Sequence, residues 1–214
     1  MKVDLMLASA SPRRLALLAQ IGVDPDQVYA ANIDETPKLK EHPANLAKRL
    51  AKEKALKAQE SLLWRVQNNP QNAVAEKKLI LAADTVVAVG KVIVPKPEGE
   101  EEAQECLQFL SGREHKVYGA VCVLNERGKK TVKLVESRIR FKYLTTEMIK
   151  AYLDSGEWQG KAGGYAIQGK AGAFVVNLSG SYSNVVGLPL AETMDLLVAY
   201  GYAVLPNWTE ERDK

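Results

Sequence analysis

Short apolar runs alternate along the chain with stretches whose apolar residues recur at helical spacing. Val3 to Ala8 reads as a short buried strand. Ser11 follows as a helix N-cap, with Pro12 at the first helical position, where its missing N–H costs nothing. Leu15, Leu17, Leu18 and Ile21 line that helix and Gly22 ends it. A second helix is expected from about Ala44 to Val66, and the polar stretch Asn68 to Lys78 reads as a surface loop. Leu79 to Val89 is a buried strand that Gly90-Lys91 turns into Val92-Ile93-Val94. Glu100 to Leu110 is a helix with Ala103, Cys106, Leu107 and Leu110 inward, closed by Ser111-Gly112. Val117 to Leu124 is a strand, Asn125 to Lys129 a turn, and Thr131 to Leu144 a long strand. In that strand Ile139, Phe141 and Tyr143 alternate with Arg138, Arg140 and Lys142, which predicts one wet face. Thr146 to Leu153 is a helix stopped at Gly156, and Gly160 to Gly172 is glycine-rich. Ala173 to Leu178 reads as a strand, Ser179 to Pro189 as a polar loop, and Leu190 to Tyr200 as the last helix.

Hairpins and crossovers both occur in this order, so the expected class is α/β with a mixed, elongated sheet flanked by helices. At 214 residues the chain is sized for one domain, 1–214, with room for two lobes. Apolar residues make up 46% and charged residues 26%, which excludes a disordered or collagen-like chain. The net charge of +3 is too mild to imply nucleic acid. No apolar run is long enough to span a membrane, and the apolar start precedes its charges, the reverse of a signal peptide. Cys106 and Cys122 supply neither a disulfide framework nor a metal cluster, so a cytoplasmic location is expected.

Several residues oppose what a stable fold would choose, and such places often carry function. In Ser9-Ala10-Ser11-Pro12-Arg13-Arg14, two arginines occupy a first helical turn, where the dipole favours acids. With the hydroxyls of Ser9 and Ser11 and the free N–H groups they would make an anion site; otherwise they are solvated surface arginines. Asp84, with Thr85, interrupts an apolar strand, where a carboxylate is costly unless paired, metal-bound or hydrogen-bonded. It is either a cap at a strand end or a metal ligand or general base. Lys54 falls on the same helical stripe as Ala47, Leu50, Ala51 and Ala58, either snorkelling outward or answering a phosphate or carboxylate. Lys96 is held between Pro95 and Pro97 and is either an exposed loop residue or a positioned cation. In Asn32-Ile33-Asp34-Glu35-Thr36-Pro37 the acids mark a turn or bring a second carboxylate, Glu35, to a divalent cation. Mg²⁺ usually takes one or two carboxylates and leaves the rest to phosphates and water, so Asp84 and Glu35 would suffice.

Gly164 to Ala171 nearly matches the P-loop pattern, but Ala171 replaces the Mg²⁺-binding hydroxyl and no apolar strand precedes it. His42 and His115 lack zinc spacing; His42 reads as a solvated turn residue and His115 as the start of a strand.

The chain resembles the Maf proteins, nucleoside triphosphate pyrophosphatases related to the inosine-triphosphate pyrophosphatase fold. The matching stretches begin with Leu7 to Arg14, Asp34-Glu35-Thr36-Pro37, Leu50 to Ala55 and Ala82 to Val87. Lys96-Pro97, Leu110-Ser111-Gly112 with His115, Lys161-Ala162-Gly163 and Ile167-Gln168-Gly169 follow, then Gly180-Ser181-Tyr182 and Asn184 to Leu190. The resemblance implies two lobes around a central cleft, and a homodimer as one option. It implies hydrolysis of a nucleoside triphosphate to the monophosphate and pyrophosphate with Mg²⁺ or Mn²⁺. Carried over, Ser9, Arg13, Arg14, Lys54 and Lys96 would hold the triphosphate, and Glu35 and Asp84 would hold the metal or activate water. Asp84 corresponds to the family's proposed proton acceptor. Arg13, Thr85 and Gln168 stand where a methylated-guanine branch carries Tyr, Gln and an acid, so the chain resembles the dTTP/UTP branch. Gln168 offers a donor and an acceptor to a neutral base edge.

Three departures stand out from the family pattern: Gly119-Ala120 in place of Thr-Gly, Pro95 in place of Gly, and a long segment from Gln59 to Lys78. The first is expected to alter a cleft wall and the other two to be peripheral. Two other readings use the same cations, a nucleotide-binding regulator of cell division and a nucleic-acid binder; the paired acids argue against the latter.

Overall fold

The computed structural model describes residues 3–68 and 77–209. Among them one mixed sheet forms the centre. Its strands are β1 (Val3–Leu7), β2 (Gln27–Val28), β3 (Lys77–Val89), β4 (Val92–Val94), β5 (Glu114–Asn125), β6 (Lys130–Phe141) and β7 (Val175–Ser179). The spatial order is β2-β1-β3-β5-β6-β7, with β4 folded back on β3. β1 runs parallel to β2 and β3, and the remaining pairs are antiparallel.

Side chains alternate along β3, so each face meets a different core. Leu79, Leu81, Ala83 and Val87 join helices α1 (Pro12–Gln20), α3 (Glu100–Leu110), α4 (Thr146–Asp154) and α6 (Leu190–Ala199). Ile80, Ala82, Val86 and Ala88 pack under α2 (Pro43–Asn68). The buried stripe of α2 is Leu46, Ala47, Leu50, Ala51, Ala55 and Ala58, whose small side chains let the helix settle close to β3 and β5.

One edge of β3 is shared by two partners. β1 pairs with Lys77 to Leu81 and β4 with Val87 to Val89. Between them no strand among the described residues covers that edge, while β5 pairs the other edge from Leu79 through Ala88. Asp84 and Thr85 lie in this gap, one facing α2 and the other facing α1.

Several boundaries differ from the sequence pattern, each for a physical reason. The strand expected to reach Leu144 ends at Phe141, because Lys142 N–H turns to the carbonyl of Phe174 and Tyr143 points to solvent. The strand expected from Ala173 starts at Val175, since Lys170–Phe174 winds into a 3-10 turn that tucks Phe174 against Phe141 and Tyr152. The polar loop from Ser179 to Pro189 contains a short helix, α5 (Tyr182–Val186), capped by the Ser181 hydroxyl accepting from Asn184 N–H. β2 is too short to leave a pattern. The expected loop Asn68 to Lys78 lies mostly outside the described residues, and its two ends belong to α2 and β3. Much of the long segment from Gln59 is likewise α2.

Asn184 ties α5 to the sheet. Its side-chain amide, fully buried, donates to the carbonyls of Val117 and Val135 and to Ser137 Oγ. The carboxamide fits because Gly119 has no side chain: a Cβ there would overlap Asn184 Oδ1. Gly119-Ala120 therefore shapes this buried anchor, and neither residue lines the cleft described below, contrary to the expectation. Replacing Gly119 by Ala should cost about 1–3 kcal/mol, the usual penalty of overpacking. Urea unfolding measures it, and an unchanged midpoint would overturn this account of the glycine.

His115, near the start of β5, packs against the rings of Phe141 and Tyr165, its Nε2 sharing a 2.8 Å hydrogen bond with Tyr165 OH. Burial pushes its pKa down to about 4, only partly opposed by a backbone hydrogen bond at Arg113. The folded chain thus keeps His115 neutral between about pH 6.5 and 4, where the unfolded chain binds a proton. Stability should fall as pH drops through that window, by about 3 kcal/mol from this residue, and level off below it. His115→Gln keeps a hydrogen-bonding group and removes the titration, so its unfolding free energy should decline less between pH 7 and 4. Equal declines in the two proteins would refute this role.

Candidate functional site

The gap in β3 opens into a cleft of about 610 Å³. Ser11, Arg13, Arg14, Glu35, Lys54, Asp84, Thr85, Lys96 and Gln168 all reach it. Ser9 does not.

On the α2 side, Lys54 Nζ lies 2.5 Å from Asp84 Oδ1 and 2.6 Å from Glu35 Oε1. Lys54 and Asp84 are buried, at 7% and 6% exposure. The snorkelling alternative for Lys54 is thus excluded: its ammonium stays inside the stripe and meets the one acid of β3. Glu35 also accepts from Lys96 Nζ at 3.1 Å, so a chain of charge runs Asp84–Lys54–Glu35–Lys96 across the cleft. Burial pushes the Glu35 carboxyl up, but the ammonium groups of Lys54 and Lys96 overcome this and hold it below its ordinary value.

The loop carrying Glu35 is fixed to α2 by Arg49, which the sequence pattern did not single out. Its guanidinium donates to Glu41 through Nε and Nη2, both at 2.9 Å, to Glu53 through Nη1, and to the carbonyl of Thr36. The Arg49 hydrogen bonds pull the Glu41 carboxyl down to about 2. Such a two-pronged fork orients as well as attracts.

On the α1 side, Arg14 is buried and Arg13 half-buried. Arg14 donates from Nε to the carbonyl of Gly187 at 2.9 Å, from Nη1 to Ser9 Oγ at 2.9 Å and from Nη2 to Thr85 Oγ1 at 3.4 Å. Arg13 Nε donates to the carbonyl of Val186 at 3.3 Å. The loop anchored by Asn184 therefore supplies the acceptors for both arginines. Ser9 Oγ also accepts from Ser11 N–H, so Ser9 is a support behind Arg14. Ser11 is the N-cap of α1, with no capping bond from its side chain and no acid in the first turn. Burial lowers the pKa of Arg14, partly offset by Asp84 and Glu35; burial and then Arg14 lower that of Arg13.

The third wall is the glycine-rich segment. Lys161, Tyr165, Ala166 and the exposed Gln168 line it. Its two 3-10 turns follow α4 rather than a strand, so it is not a P-loop. Pro95 is not peripheral: it lines the cleft, and its carbonyl accepts from Gly163 N–H at 2.9 Å. His42 is exposed, with its ring accepting from Ala44 N–H, as a turn residue would.

Among the described residues no group of three or more His, Cys, Asp or Glu side chains could hold a metal ion. Asp84 and Glu35 converge on one point, now taken by the Lys54 ammonium. Two carboxylates fit a hard divalent cation that draws its remaining ligands from phosphates and water.

A family model described as "Maf-like protein" matches residues 4–200. A protein of Bartonella quintana (strain Toulouse), named dTTP/UTP pyrophosphatase, is 76% identical over 97% of this chain and 91% of its own length. One of Brucella abortus (strain 2308) with the same name is 56% identical over 95% of each chain. The solved structure of a HAM1 protein from Coxiella burnetii covers 93% of this chain and all of its own, at 16% identity and a TM-score of 0.47, a likeness too loose to carry an argument. The motifs from Leu7 to Leu190, the match across nearly the whole length and the high identity to these relatives place the chain in the Maf-like family.

Proposed function

We propose that this protein is a nucleoside triphosphate pyrophosphatase that hydrolyses dTTP and UTP to the monophosphate and pyrophosphate. The observation that carries this reading is the buried Lys54–Asp84 pair, joined by Glu35, in a cleft lined by arginines. A buried ion pair is often no more stabilising than apolar residues of the same volume. The surrounding stripe is Leu and Ala, so stability alone does not account for the charges there. The names of the relatives support the same reaction and substrates.

In this reading Arg13, Arg14, Lys54 and Lys96 bind the triphosphate, and Thr85 and Ser11 add hydroxyls beside them. Ser9 fixes Arg14 from behind. Gln168 pairs with the base edge. Asp84 and Glu35 would hold a divalent cation, Mg²⁺ or Mn²⁺, whose charge neutralises that of the phosphates. Lys54 holds Asp84 Oδ1, leaving Oδ2 to take a proton from the attacking water. The water oxygen bonds to the α-phosphorus as the bond to the pyrophosphate oxygen breaks, and the cations absorb the charge on the leaving group.

Purified protein with Mg²⁺ or Mn²⁺ and a panel of dTTP, UTP, CTP, ATP, GTP and 7-methyl-GTP tests the proposal, with products resolved by anion exchange. dTMP or UMP with pyrophosphate is the expected result, with little turnover of purines. A diphosphate with inorganic phosphate would refute the cleavage site, and no turnover at all would refute the activity. Asp84→Asn should lower kcat by about 10²–10⁴-fold, the usual contribution of a general base, while dTTP still binds. A kcat within tenfold of the parent, in a variant shown to be folded, would remove Asp84 from that role.

A further inference from the structure

Four of the cations that line the cleft fall into two groups, while Arg14 is held by the carbonyl of Gly187 and the hydroxyls of Ser9 and Thr85. Lys54 and Lys96 are answered by Asp84 and Glu35. Arg13 and Lys161 are not: among the described residues no ion pair involves either. Both line the cleft, and Lys161 is half-buried in the glycine-rich wall. Lys161 Nζ donates only locally, to the carbonyl of Gln159 at 2.8 Å. The nearby acid Glu157 is engaged by Lys170, through its backbone N–H and its ammonium, each at 2.7 Å. Burial, and then the charge of Arg13, lowers the pKa of Lys161. Two like charges thus share a cleft with no ion pair to either among the described residues, an arrangement that costs stability until an anion arrives.

The backbone of Lys161 is held in place. Its N–H donates to the carbonyl of Trp158 at 3.1 Å, and its own carbonyl accepts from Gly164 N–H at 3.0 Å. Gly163 donates to Pro95, next to Lys96, and sits so close to Val87 that a Cβ would lie 3.1 Å from its side chain. This segment is therefore stitched to the strand hairpin that carries Lys96, and its lysine is presented from a fixed base.

We propose that Lys161 is a substrate-contacting residue that forms, with Arg13, a clamp for the polyphosphate chain of the nucleotide. The proposal rests on the pyrophosphatase reading for its ligand, but not on turnover for its test. Inorganic tripolyphosphate and pyrophosphate, titrated by calorimetry without nucleotide, are the probes. Lys161→Gln should weaken tripolyphosphate binding about tenfold or more and flatten its salt dependence, since one charge-assisted contact is lost. Lys161→Arg should restore most of the affinity, which a purely structural role for the side chain would not predict. In a double-mutant cycle with Arg13→Gln, the two losses should be coupled.

Unchanged tripolyphosphate affinity in Lys161→Gln would overturn the clamp. So would an Arg variant as weak as the Gln variant, or losses that simply add. Failure of the parent reading shows elsewhere, as wild-type protein that turns over no nucleotide. Should Lys161→Gln unfold, Lys161→Met tests the same point at constant side-chain length.

Discussion

Lys54 and Asp84 meet inside a protein because strand pairing along one side of β3 is interrupted. A carboxylate in the middle of a fully paired sheet, under a helix of Ala and Leu, would be stranded in a medium that penalises charge by several kcal/mol. Placed where β1 has departed and β4 has not yet begun, Asp84 keeps a partner on one side and the cleft on the other. The rest of the site is organised by the same interruption. β1 leaves the sheet there and turns through Ser9 and Ser11 into α1, which delivers both arginines. The alternation of β3 sends Asp84 to Lys54 and Thr85 to Arg14. One lapse in backbone pairing thus lets residues from opposite faces of a sheet open on one space.

A set of supports, each remote from the chemistry, holds that space in shape. Arg49 fixes the Glu35 loop to α2. Asn184, in the room left by Gly119, fixes the carbonyls that receive Arg13 and Arg14. Gly163 fixes the third wall to Pro95 and Val87. Such scaffolding keeps charged side chains near their working positions, so less ordering remains to be done when a ligand binds.

The charged residues that break local rules were legible in the sequence because each opposes a strong local expectation. Asp84 interrupts an apolar strand, Lys54 an apolar helical stripe, and Arg13 and Arg14 an anion-preferring helix start. The supports were harder to read. Arg49 and Glu41 look like ordinary surface charges, and Asn184 sits among Gly, Ser and Asn that signal a loop. Their roles come from partners far along the chain, such as Val117 for Asn184, and no local pattern encodes those contacts. Ser9 offers a hydroxyl that the sequence assigns to an anion site; in the structure that hydroxyl receives Arg14, and spacing does not tell which side of a guanidinium a hydroxyl occupies. Lys161 is visible only as a member of a motif, and Pro95 only as a neighbour of Lys96 that departs from the family pattern.

The parity of β3 also bears on how such a chain can change over generations. Substitutions in the two cores exchange one apolar group for another and leave the alternation intact. Insertion or loss of a single residue between Lys77 and Asp84 is another matter, because a one-residue slip turns every later side chain to the other face. Asp84 would then be offered to Arg14 and Thr85 to Lys54, and pairing with β5 from Leu79 to Ala88 leaves no slack to absorb the shift. A change of length is therefore barred from β3, which makes this strand a fixed ruler for the spacing of the site.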